Sequence, residues 1–414
     1  MKFHIMRVSM RSTITLLVVV VKVEAREVRL PGAFRTLAEL LQTQAAQSGL
    51  DRVSPWELSR GLWRLSEVDA ANGSEQPHPR VTAPPSAEEL ALAARACTLS
   101  SASYGWFGTL LVSWSTGPRA FALTAWRLLR GVGGRPSIAF EVHTSLPPRS
   151  LRYAQWAPSN EGGYLPAHLI AIDHAAQTIF FVVRGTLSIE DAVTDLQVAP
   201  TRVERRLLGW GCHGGMAAAA ERLCALHEAR LAAVLREHAG YRLVVTGHSL
   251  GAGIASLLAI LLKPRLRRGS VRAIAFAPPC TLPLACCRQH ERLILGFVHS
   301  DDAIPCLSQG SLVQLRERIE MASRGDDEAL RRHARHCMRH PHPNCRFPPG
   351  RLVRLHARRA ACGEDAAGSV AGVSRRALGF IRVRSSMLRD HGFDRYESRL
   401  LSLAAQLPAS RARR

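Results

Sequence analysis

Five residues stand where a reactive serine could be displayed. Gly247-His248-Ser249-Leu250-Gly251 follow the apolar run 242–246 and precede an Ala/Leu-rich run at 252–262. Gly-x-Ser-x-Gly between a strand and a helix is the nucleophile elbow. The serine sits on a strained turn that lifts its hydroxyl above the sheet, and the flanking glycines leave room for that turn. The helix that follows points its N-terminus at the site, which favours negative charge developing on an acyl oxygen. Ser249 is the expected nucleophile, with Gly247, His248 and Gly251 shaping the elbow.

A serine nucleophile needs a base to take its proton and a carboxylate to orient that base, in the chain order Ser, acid, His. Downstream of Ser249, the apolar run 293–298 ends in Ser300-Asp301-Asp302-Ala303-Ile304-Pro305, which puts carboxylates at the end of a strand. Either Asp fits by position. Six later histidines compete for the base: His333, His336, His340, His342, His356 and His391. The first four lie in a polar Arg/His-rich stretch read as a surface loop, and His356 near a strand end. His391 follows the apolar 380–383 in a turn, the better geometry, but spacing alone leaves the choice open. The His/Cys stretch from His333 to Cys345 lacks the paired Cys-x-x-Cys of structural zinc sites, so no metal is expected there.

The elements that must hold these residues read as alternating strands and helices. Runs 168–173 and 178–183, split by four residues, predict a hairpin. Residues 216–238 predict a helix, 242–246 a buried strand, 252–262 a helix, and 271–277 and 293–298 further strands. Such alternation predicts an α/β fold, a mainly parallel sheet with helices on both faces. Upstream, residues 1–71 read as a helical region, 72–87 as a Pro/Gly/Ser linker, 88–400 as the α/β domain with a polar insertion near 308–349, and 401–414 as a basic tail.

Several segments, taken in order, resemble the class 3 (fungal-type) lipases, and among them the sn-1-specific diacylglycerol lipases. Gly247 to Gly253 is similar to their elbow. Val183-Arg184-Gly185-Thr186-Leu187-Ser188, continuing to Asp191-Ala192 and Thr194-Asp195-Leu196, is similar to their oxyanion-loop segment. His213-x-Gly215-Met216 and Phe347-Pro348-Pro349-Gly350-Arg351 match further stretches, and weaker similarity runs upstream through Val53-Ser54-Pro55 and Tyr104-Gly105-Trp106. Asp302 in Asp-x-Ile-Pro resembles the acidic triad member, and Met387-Leu388-Arg389-Asp390-His391 resembles the segment bearing the base.

The resemblance implies an α/β-hydrolase fold and a Ser249–Asp302–His391 triad. It also implies an oxyanion hole from Thr186 and the N–H of Leu250, with Asp191 and Asp195 bracing the loop. The implied reaction is hydrolysis of a fatty-acyl ester of a glycerolipid, diacylglycerol first, through an acyl-enzyme. Triacylglycerol or monoacylglycerol lipase and phospholipase A1 are the runners-up, and an inactive lipase-fold interaction protein is the reading from another class. No cofactor is required by this chemistry; calcium is implied by the resemblance alone, and no EF-hand pattern accompanies it.

Composition bounds the rest. The 414 residues are long enough for a sizeable core, and 47 % hydrophobic residues exclude a wholly disordered chain. Ten cysteines without framework spacing do not make a disulfide scaffold. The net charge of +22 is almost entirely Arg, since Lys stands only at Lys2, Lys22 and Lys263. With no nucleic-acid motif beside it, this excess is read mainly as coding bias, and no nucleic-acid partner is expected. The apolar run Ile14 to Val21 is too short to span a bilayer; it reads as a buried strand or the remnant of a longer helix. Trp106, Phe107, Trp114, Phe121 and Trp126 lie in and after an uncharged stretch and read either as an interfacial surface or as a buried helix pair. The expected location is a membrane surface, peripheral, or multi-pass if the sequence is truncated at its start; otherwise cytoplasmic.

Overall fold

Strand formation follows the buried β-branched and aromatic runs. The computed structural model describes residues 55–71, 84–130, 136–186, 205–207, 210–266, 269–356 and 370–407. The run Ile14 to Val21, the residues around Asp191 and Asp195, most of the linker and the end of the basic tail lie outside the described residues.

The chain proceeds α1 (Pro55–Ala71), α2 (Ala87–Ala102), α3 (Gly105–Thr116), α4 (Pro118–Arg130), α5 (Pro136–Thr144), β1 (Leu151–Gln155), β2 (His168–Asp173) and β3 (Thr178–Val183). A short ribbon follows, β4 (Arg205–Leu207) and β5 (Trp210–Cys212), then α6 (Gly214–Glu237), β6 (Arg242–His248), α7 (Leu250–Leu262) and β7 (Val271–Phe276). The remainder is α8 (Leu284–Cys287), β8 (Ile294–His299), α9 (Gln309–Arg324), α10 (Asp327–Arg339), β9 (Arg351–Leu355), β10 (Val370–Gly372) and α11 (Phe393–Ala404).

Eight strands form one sheet in the order β1-β2-β3-β6-β7-β8-β9-β10. β3, β6, β7, β8 and β9 run parallel, while the predicted β2–β3 hairpin and the edge strands β1 and β10 pair antiparallel. The expected α/β architecture is therefore observed, with the elbow strand β6 in the middle. Every residue of α7 is buried. A helix apolar all round must sit inside, and α7 packs between the sheet and α6. On the opposite face Leu99 of α2, Phe140 of α5, and Tyr396 and Leu400 of α11 pack with Phe180 and Phe276 of the sheet.

Two expectations are corrected. The first half of the His333–Cys345 stretch, read as a surface loop, is the end of α10, where Cys337 is buried; α10 packs on α9, which buries Leu312, Leu315 and Ile319 against Leu62 and Leu65 of α1. Apolar residues three and four apart in 312–319 give α9 its inward face. At the other end, α11 runs past residue 400 and Leu403 is buried, so the final helix extends into the segment read as a tail. The aromatic stretch divides between its two readings. The second half of α2 is buried, whereas Trp106, Trp114, Leu123 and Trp126 of α3 and α4 are about half exposed. No helix among the described residues is long and apolar enough to cross a membrane.

A buried ion pair ties α1 to the segment before His391. Arg318 of α9 meets Asp69 at 2.5 Å and donates to the carbonyl of Ile381 at 2.6 Å, while the N–H of Val383 donates to the other Asp69 oxygen at 2.8 Å. Arg318 also lies over the Phe380 ring.

Candidate active site

The site begins with the backbone at Ser249. Its φ of 56° and ψ of −128° lie in the left-handed half of conformational space, which a β-carbon disfavours at a cost of roughly 1–3 kcal/mol. Close packing enforces the turn. A β-carbon at Gly247 or Gly251 would overlap the carbonyl of Val183, and at Gly251 it would also stand 2.8 Å from the N–H nitrogen of Gly185. The end of β3 is thus pressed directly on the elbow, a contact that only glycines permit.

The structure brings Ser249, His391 and Asp302 together from the ends of three segments. His391 Nε2 lies 3.0 Å from Ser249 Oγ, and its Nδ1 lies 3.1 Å from both Asp302 oxygens. With the carboxylate ionised, Nδ1 must carry the proton, so Nε2 is free to accept from the serine hydroxyl. All three side chains are buried. Asp302 stands just past β8, before the 3-10 turn Ile304–Cys306, and His391 closes the 3-10 turn Arg389–His391 that leads into α11. The other competing histidines lie elsewhere: His333 faces Glu317 at 3.2 Å, His336 lies tilted beside His340, His342 accepts from the N–H of Asn344, and His356 lies past β9.

Electrostatics keep Asp302 charged. Burial pushes its carboxyl up, but the His391 imidazole, the Tyr396 hydroxyl and the N–H of Ile304 outweigh that and hold it below the usual carboxylate value. Tyr396 Oη donates to Asp302 Oδ2 at 2.6 Å, and the N–H of Ile304 donates to Oδ1 at 3.0 Å. Burial, and then the Asp302 charge, raise the Tyr396 phenol well above its ordinary value, so it stays a donor. His248 is driven down to about 3, by burial first and then by His391, and remains neutral. Its Nε2 donates to the His391 carbonyl at 2.8 Å.

Tyr396 and the contact from His248 to the His391 backbone were not legible as site features. In the sequence Tyr396 is a single tyrosine five positions after His391, and no motif marks it. Of the oxyanion-loop residues, Thr186 is described and Asp191 and Asp195 are not. The Thr186 hydroxyl is buried without a hydrogen-bond partner among the described residues. Leu250 opens α7, where first-turn N–H groups have no intrahelical acceptor.

A serine at a positive-φ strand-to-helix turn, joined to an imidazole and a buried carboxylate across a mainly parallel sheet, defines the α/β-hydrolase class. Within that class, residues 180–311 match the family model described as Lipase (class 3). Diacylglycerol lipase-beta of Mus musculus is 33 % identical over 156 residues, covering 36 % of this chain and 23 % of that protein. Diacylglycerol lipase-alpha of Homo sapiens is 31 % identical over 162 residues, covering 36 % of this chain and 15 % of that protein. A solved triacylglyceride lipase of Rhizomucor miehei is 17 % identical with a TM-score of 0.44, covering 72 % of this chain and 87 % of that one. Residues 180–311 thus resemble the class 3 lipases, and the chain resembles diacylglycerol lipases. It spans a quarter or less of the length of the diacylglycerol lipases it matches.

Proposed function

We propose that this chain is a serine-dependent lipase that hydrolyses a fatty-acyl ester of a glycerolipid at a membrane surface, with diacylglycerol as its first substrate and monoacylglycerol and a fatty acid as products. The observation that carries the reading is the continuous hydrogen-bonded series Ser249–His391–Asp302 at the elbow. The likeness to diacylglycerol lipases supports the choice of lipid.

In the proposed reaction His391 Nε2 removes the Ser249 proton as Oγ bonds to the ester carbonyl carbon, and Asp302 stabilises the resulting imidazolium. The Leu250 N–H, with the N–H and hydroxyl of Thr186, receives the oxyanion. Collapse breaks the bond to the glycerol oxygen, which takes the proton from His391 and leaves as the alcohol. Water, deprotonated by the same imidazole, then releases the fatty acid and restores Ser249. The chain's own groups and water account for every proton transfer. The half-exposed Trp106, Trp114 and Trp126, beside Arg119 and Arg127, are assigned to docking on the lipid surface.

The test is labelling by a fluorophosphonate probe, alongside Ser249→Ala, with both proteins assayed on diacylglycerol, triacylglycerol, monoacylglycerol and phospholipid. Labelling and diacylglycerol hydrolysis that disappear together in the variant support the proposal. A folded wild-type protein that neither labels nor hydrolyses any of the four refutes it, in favour of an inactive lipase-fold protein.

A further inference from the structure

Helix α10 presents two chemically opposed faces. Leu330 and Cys337 are buried towards α9, and His333 on the same side faces Glu317. Outward stand Arg331, Arg332, Arg335, His336, Arg339 and His340, all exposed. Arg376, also exposed, reaches the carbonyl of Arg339 and adds its charge to the same patch. The carboxylates that balance it are confined to the first turn. Asp327 is engaged by Arg64 at 3.0 Å and Glu328 by Arg332 at 3.5 Å, and no Asp or Glu occurs between Glu328 and Glu364. The rest of the face is therefore basic without internal compensation along its own chain.

Its place in the fold matters as much as its charge. α9 begins three residues after the turn that follows Asp302, and α10 returns antiparallel to it. The segment after α10 closes on the start of α9: the N–H of Gly310 donates to the Asn344 carbonyl at 3.3 Å, and a β-carbon on Gly310 would lie 2.5 Å from the Cys345 nitrogen. The segment that follows α10 thus returns to the start of α9, a few residues from Asp302. Tyr104, just before α3, lies against Gly185 at the elbow, so α3 and its exposed Trp106 begin beside the same site.

We propose that the outer face of α10 is an electrostatic docking surface for anionic phospholipid headgroups, holding the catalytic edge against a negatively charged leaflet while the aromatics of α3 and α4 enter its interface. The proposal rests on the lipase reading for the substrate at that edge, but its binding step does not require catalysis. Arginine suits this role because its planar guanidinium pairs with phosphate in a fork and keeps its charge at any physiological pH. Each arginine near an anionic leaflet strengthens binding roughly five-fold, and that attraction is screened within about 10 Å at moderate salt.

The experiment is co-sedimentation of the full chain with phosphatidylcholine vesicles, with and without phosphatidylserine, comparing wild type with the triple variant Arg331→Gln, Arg335→Gln, Arg339→Gln. A control triple, Arg236→Gln, Arg288→Gln, Arg292→Gln, removes equal charge from exposed positions away from α10. The expected result is a loss of affinity on the order of 100-fold for phosphatidylserine vesicles in the α10 variant only. Its hydrolysis of a soluble short-chain ester should match wild type, which reports an intact fold. Wild-type binding by the α10 variant, or equal loss in the control, overturns the proposal. So does a loss confined to duplex DNA, which would assign the face to nucleic acid. Should wild type bind the vesicles through α10 yet hydrolyse no ester, the docking surface stands and the lipase reading falls.

Discussion

Tyr396 donates a 2.6 Å hydrogen bond to Asp302 and at the same time accepts one from the backbone N–H of His299 at 2.8 Å. The last residue of β8 and the first turn of α11 are thereby locked to the carboxylate that orients His391. Tyr396 does not touch the reacting atoms in the proposed mechanism; it is a positioning residue. Tyr396→Phe removes one of the donors that hold Asp302 low. The Asp302 carboxyl then rises, and the acid limb of the pH–rate profile moves to higher pH. A hydrogen bond to a charged group contributes about 1.5–3 kcal/mol, so kcat on a soluble ester should fall about ten- to a hundredfold. An unshifted acid limb would reduce Tyr396 to a packing role.

Thr186 offers a hydroxyl that is buried and without a hydrogen-bond partner among the described residues. A buried polar atom left unpaired costs free energy, unless a ligand supplies its partner. In the proposed reaction that partner is the oxyanion. Thr186→Val should lower kcat by about 10² while leaving KM nearly unchanged, since the bond strengthens only in the transition state. A rise in KM at constant kcat would place Thr186 in ground-state binding.

The exposed Trp106, Trp114 and Trp126 permit a separation of docking from chemistry. Replacing all three by Ser should depress hydrolysis of vesicle-borne diacylglycerol at least tenfold, because each indole contributes interfacial affinity. Hydrolysis of a soluble ester should be unchanged. Equal loss on both substrates would show that these side chains act on the fold or the site.

Acid should destabilise the chain well before its carboxylates are protonated. His227 Nδ1 faces Arg230, a donor only, so its proton must reside on Nε2, which donates to His168 Nε2 at 2.8 Å; His168 Nδ1 in turn donates to the Pro166 carbonyl. Burial, then His168 and Arg230, push His227 down to about 3, and His248 is as low. Their ordinary value is about 6.5. Below that pH the unfolded chain binds protons that the folded chain refuses, so stability is lost as pH falls from about 6.5 towards about 3. The melting temperature should drop steadily across this window, and less steeply in His227→Gln. A flat profile between about pH 6.5 and about pH 4 would contradict this reading.

What the sequence by itself determined was the chemistry that depends on neighbours in the chain. Gly247, Ser249 and Gly251 declare the turn they require, because only glycine allows the backbone of Val183 so close. The buried runs of β2, β3, β6, β7 and β8 declare their strands, because a two-sided sheet demands apolar residues on both faces. Asp302 against Asp301 could be ranked only by resemblance, and His391 was favoured over five other histidines by its place after an apolar run without being settled. The contacts that separate them bridge 89 and 142 positions along the chain, and no local pattern encodes them.

The tertiary structure alone decided the rest. It put Tyr396 and Ile304 on the carboxylate and pressed Gly185 on the elbow. It also folded the first half of the His333–Cys345 stretch into α10, since the burial of Leu330 and Cys337 on one side, not the polarity of the rest, governs that helix. Local spacing specifies which element a residue joins. Which side chains meet is set by how those elements pack.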